Sequence, residues 1–107
     1  MYKIGIIGDR DSVLGFKAVG LEVFPCVDAD EAKKILNKIV KEDYAIVFIT
    51  EGFAKDMREV IDQYKDRKIP AITPIPGMDG SFDVGFEKLK KSVERAIGAD
   101  ILFGGDQ

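Results

Sequence analysis

The run Tyr44-Ala45-Ile46-Val47-Phe48-Ile49 holds six consecutive residues without a charge. A strand with one wet face alternates apolar and polar residues. An unbroken β-branched and aromatic run belongs instead to a strand covered on both sides. That requirement predicts a central strand in a parallel sheet with helices on each face, and the rest of the chain fits it. Residues 2–7 repeat the nearly continuous apolar pattern. Leu21-Glu22-Val23-Phe24 reads as a strand ended by Pro25. Ile69-Pro70-Ala71-Ile72-Thr73 reads as a fourth, with Pro70 suited to an edge or a strand start because it has no N–H to donate.

Amphipathic segments separate these strands. Over residues 28–41, Ala32, Ile35, Leu36, Ile39 and Val40 fall on one helical face, and Asp28 with Glu31 makes a capping-box-like start. Residues 51–65 carry a stripe of Phe53, Met57, Val60, Ile61 and Tyr64, with Thr50 as a candidate cap. Residues 84–97 carry Phe86, Leu89, Val93 and Ile97, and Gly98 is placed to end that helix. The first helix, residues 12–19, is short and stops at Gly20. The order βαβαβαβα, with connections too long for hairpins, predicts a parallel sheet with strand order 2-1-3-4. The expected architecture is one three-layer α/β domain, a receiver-like or Rossmann-like half fold. It occupies residues 1–98, followed by a tail at 99–107 that is flexible or docks a partner.

Composition narrows the chemistry. The 107 residues suit one domain that buries roughly two-thirds of its unfolded surface, enough for a core without staples. A net charge of −3 does not favour nucleic acid or an anionic membrane. There is no histidine, which removes the usual general base and the commonest metal ligand. The lone Cys26 cannot pair within the chain and fits a reducing, cytosolic setting. No signal-peptide pattern is indicated, and no apolar run nears the roughly 20 residues needed to span a bilayer.

The turn after the first strand, Gly8-Asp9-Arg10-Asp11-Ser12-Val13-Leu14-Gly15-Phe16, is where α/β proteins place ligands, since strands 1 and 3 meet at the topological switch point. Thr50 and Glu51 would line the opposite side. A phosphate loop needs clustered glycines, then Lys and Ser or Thr at the helix start. Here Gly8 and Gly15 are too far apart, Phe16 precedes Lys17, and two aspartates would repel a phosphate. A magnesium site of Asp9, Asp11 and Glu51, as in a phospho-acceptor receiver, is the second reading. It lacks the aspartate expected at the end of strand 3, where Thr50-Glu51 stand. In the third reading the turn is structural: Asp11 or Ser12 caps the helix, Asp9 holds the turn, and Gly15 lets the short helix approach the sheet. Phe16 and Val19 then face the core. Cys26 has no nearby group to activate it and reads as a small buried residue. Lys88, Lys90, Lys91 and Arg95 give the last helix a mixed, solvated basic face.

With these residues in view, the chain resembles the F subunit of the V-type (A/V-type) ATP synthase, a central-stalk component of rotary ATPases. The likeness rests on Lys3-Ile4-Gly5-Ile6-Ile7-Gly8-Asp9, on Asp11-Ser12-Val13-Leu14-Gly15-Phe16 with Gly20, and on Tyr44 through Glu51. It continues through Ile72-Thr73-Pro74-Ile75-Pro76-Gly77 and Glu94-Arg95-Ala96-Ile97-Gly98. The resemblance implies a cytoplasmic, membrane-peripheral component with no active site, cofactor or metal of its own. Its implied partners are the coiled-coil D subunit of the stalk and the socket subunit that links axle to membrane ring. No nucleic acid and no membrane insertion are implied. The classes weighed beside it are a stand-alone receiver-like signalling domain and a small nucleotide-binding module. Met78, Ile101, Leu102 and Phe103 lie beyond the amphipathic stripes and are the candidate partner contacts. Gly8, Asp9, Asp11, Ser12 and Gly15 are the expected turn and cap residues.

Overall fold

Residues Tyr44–Thr50 form β3, whose side chains divide between the two sides of the sheet. Val47 and Ile49 enter one buried cluster, and Ile46 and Phe48 enter the other. The computed structural model describes residues 2–77 and 82–100, with side chains of 82–84, 99 and 100 left aside. The remaining strands are β1 (Lys3–Asp9), β2 (Glu22–Cys26) and β4 (Ala71–Ile75). All pairings are parallel, and the sheet order is β2-β1-β3-β4. The predicted topology and the central place of β3 are therefore correct.

One layer is α2 (Ala29–Ile39) with α3 (Glu51–Ala54) and α4 (Arg58–Gln63). Ala32, Leu36 and Met57, all fully buried, pack there against Ile7, Val47 and Ile49. Each large aliphatic side chain among them contributes about 1.5–3 kcal/mol by leaving water. The other layer is α1 (Arg10–Val13), a 3-10 turn (Leu14–Val19) and α5 (Phe82–Asp100). Val13, Phe16, Leu89 and Val93 cover Ile6, Ile46 and Phe48 on that side. The start of α2 shows why its sequence signal was readable. The Asp28 carboxylate accepts the Glu31 N–H at 2.9 Å, and the Glu31 carboxylate accepts the Val27 N–H at 2.9 Å. The return bond goes one residue ahead of the cap.

Several boundaries differ from the sequence reading. Pro25 lies inside β2, exposed; β2 is a sheet edge, and an edge strand tolerates a missing N–H. The single helix expected over 51–65 is two. The Asp56 and Met57 N–H groups bond back to Phe53 and Ala54 at 3.0 Å each, a tight i→i−3 closure that ends α3. Thr50 precedes α3 but makes no side-chain capping bond. The last helix continues through Gly98 to Asp100. Val19 is 47% exposed rather than a core residue, because residues 14–19, most of the predicted first helix, form a 3-10 turn.

Candidate functional site

At the switch point, β1 ends in Asp9, whose extended backbone (φ −64°, ψ 152°) lets its side chain cap α1. Its carboxylate accepts the Ser12 N–H at 3.2 Å. The Ser12 hydroxyl donates to the same carboxylate, 2.8 Å from one oxygen and 3.0 Å from the other. The cap is thus Asp9. Ser12 is a buried donor to it, and Asp11 is an exposed first-turn residue.

Where β1 and β3 lie side by side, the packing leaves no room for a side chain at Gly8. Thr50 is buried, and a Cβ placed on Gly8 would lie 2.5 Å from its methyl carbon and 2.7 Å from its hydroxyl oxygen. Gly8 therefore has no side chain because Thr50 occupies that volume. From above, Gly77 follows β4 and comes against Ser12, whose Oγ would be 3.7 Å from a Cβ at Gly77. Gly15 admits a helix rather than the sheet: any Cβ there would overlap the Phe86 ring of α5. That ring packs on Phe16 with centroids 5.1 Å apart and planes tilted by 56°.

Arg10, Asp11 and Glu51 are exposed. Among the described residues, no three acidic, cysteine or histidine side chains are grouped to hold a metal. Cys26, opposite Asp9 in the β1–β2 register, is buried, and its thiol sits 3.5 Å from the Phe24 carbonyl it donates to. Burial first, then the carboxylates of Glu31 and Asp28, push that thiol up to about 11, so it stays protonated at neutral pH. Burial, with Glu22 and Glu42, likewise raises the Tyr44 hydroxyl. Met78, Ile101, Leu102 and Phe103 lie outside the described residues.

The open surface is elsewhere. Two clefts, of about 340 and 310 Å³, run between α4 and β4 and share Ile61. Sequence reading missed them because it placed one continuous helix there. The cationic stretch Lys65-Asp66-Arg67-Lys68 beside Pro70 was the available signal.

The fold and the packed strand end define a class: a small doubly wound α/β domain with four parallel strands in the order β2-β1-β3-β4. The sequence profile of one family, the ATP synthase (F/14-kDa) subunit, matches residues 4–93. The chain belongs to this family. It is 49% identical over 102 residues to the V-type ATP synthase F subunit of Fusobacterium nucleatum, covering 95% of this chain and 97% of that one. It is 46% identical over 100 residues to the V-type ATP synthase F subunit of Clostridium botulinum, covering 94% and 97% respectively. The crystal structure of the V-type ATP synthase F subunit from Archaeoglobus fulgidus shares the fold. It matches with a TM-score of 0.55 at 20% identity, over 69% of this chain and 96% of that one. No described helix is long and apolar enough to cross a membrane.

Proposed function

We propose that this chain is a non-catalytic component of the central stalk of a V/A-type rotary ATPase. In this reading it binds the coiled-coil axle protein, stiffens it, and helps couple ATP synthesis or hydrolysis in other subunits to ion transport. It sits on the cytoplasmic side, peripheral to the membrane, and can also meet the socket subunit joining axle to membrane ring. Family membership supports the assembly. The observation that supports a non-catalytic reading is the strand end itself: Thr50 takes the space beside Gly8, and Ser12 engages both Asp9 oxygens. A substrate at that position would have to displace the residues that hold the strand end together.

Mixing the chain with the coiled-coil stalk protein of the same complex tests the reading. A stable one-to-one complex by size-exclusion chromatography with light scattering is expected, and two separate peaks would overturn it. The chain alone should neither hydrolyse ATP nor bind it saturably. Met78, Ile101, Leu102 and Phe103 are carried as candidate contacts. Truncation after Asp100 should weaken the complex if the last three contribute, and unchanged affinity removes them.

A further inference from the structure

We propose that the groove between α4 and the outer edge of β4 is a docking site for one amphipathic helix with acidic flanks, supplied by a second protein. The inference rests on the stalk reading only for which protein supplies that helix. The two clefts adjoin at Ile61, and their apolar lining is Ala54, Ile61, Ile72, Pro70 and Pro74, of which Ala54 and Pro70 form the buried floor. Their polar lining is lopsided. Lys55, Arg58, Lys65, Arg67 and Lys68 stand against only Glu51 and Asp62, on a chain whose net charge is −3. A basic rim on an acidic protein selects an acidic partner and steers its approach.

The occupant's secondary structure follows from the edge. β4 is a terminal strand of the sheet, which would ordinarily invite another strand. Pro74 lies within it and Pro70 just before it, and neither can donate an N–H to an added strand. A helix satisfies its own backbone bonds and needs only the apolar floor and charged rim. Residues 70–74 span about 13 Å at roughly 3.3 Å per residue. That matches about nine helical residues, or two to three turns presenting anchors at i, i+3 or i+4, and i+7. The rim is partly held in place beforehand. The Arg67 guanidinium lies 5.9 Å from the Tyr64 ring centre, and the Tyr64 hydroxyl donates to the Asn37 side-chain oxygen on α2 at 2.5 Å.

The test uses the full chain, the purified coiled-coil stalk protein and the double variant Arg58→Glu with Lys65→Glu. Both positions are exposed, and unchanged circular dichroism and melting temperature show that the variant is folded. Affinity should fall about tenfold or more and lose part of its salt dependence. Lys91→Glu, on the exposed side of α5, should stay within about twofold of wild type. Equal binding by the double variant and wild type overturns the groove assignment.

If the wild-type chain fails to bind the stalk protein, the stalk reading falls, and the groove is judged by a second probe. That probe is a synthetic helix of about 14 residues with leucines at i, i+3 and i+7 between glutamates. Amide shifts concentrated in residues 54–74 sustain the proposal, and shifts elsewhere, or none, overturn it. Two other occupants would also overturn it. One is a homodimer lost in the double variant. The other is the chain's own tail, revealed by groove shifts on truncation after Asp100.

Discussion

The C-terminal end of β1 and the outer edge of β4 lie in one sheet but are built on opposite terms. At β1, Thr50 leaves no room for a side chain at Gly8, and Ser12 and Asp9 satisfy one another. At β4, Pro74 interrupts the strand edge, and two clefts with apolar floors open to solvent beside five cations. The end of β1 is tightly packed, and the edge of β4 is bordered by open clefts. What a doubly wound sheet does is therefore decided by which gaps its own side chains leave, not by topology alone.

The sharpest way to break this contrast is to overfill the packed end. Gly8→Ala should lower stability by about 2 kcal/mol, read as a shift in urea midpoint, because the β-branched Thr50 has little rotamer freedom to yield. Thr50→Ala in the same chain should recover more than half of that loss. A silent Gly8→Ala would mean the strand end is looser than its geometry, and the contrast would fail.

Removing the cap comes next. Asp9→Ala should cost about 1 kcal/mol, while Asp9→Asn, still able to accept the Ser12 N–H, should stay near wild type. Magnesium should not change the melting temperature of either form, and a magnesium-dependent rise lost in Asp9→Ala would revive the receiver reading.

A third effect is silent at neutral pH. The Cys26 thiol goes from 9.0 unfolded to about 11 folded, so its contribution is complete below pH 9. It is lost as pH rises from 9 through about 11, because the unfolded chain gives up the proton first. Tyr44 acts with the same sign. In Cys26→Ala the alkaline fall in stability should be shallower, and Ellman's reagent should label wild-type Cys26 only on unfolding. Smallest of all, Pro74→Ala and Arg58→Ala at the open edge should each change stability by no more than about 0.5 kcal/mol. A larger loss would show that the edge is part of the core rather than a surface free for a partner.

Which parts of this could be read from residues alone follows from how far each cause reaches along the chain. The α2 cap was legible because Asp28 and Glu31 meet within one turn. The core identity of Leu36, Val47 and Phe48 was legible because local periodicity reports burial directly. The break between α3 and α4 was not, since Phe53, Met57, Val60 and Ile61 keep helical spacing across it. Gly15 was recognised as a place of close approach, but the group that approaches it is Phe86, some seventy residues onward.

The sequence by itself determined the layered class, the strand order and the family, because unbroken apolar runs, right-handed crossovers and residue identity need no coordinates. Tertiary structure alone decided that Thr50 occupies the space at Gly8, that Phe86 seats on Gly15, and that basic clefts open beside β4. Each of these depends on atoms from distant segments competing for one volume, and steric exclusion has no signature in local sequence spacing.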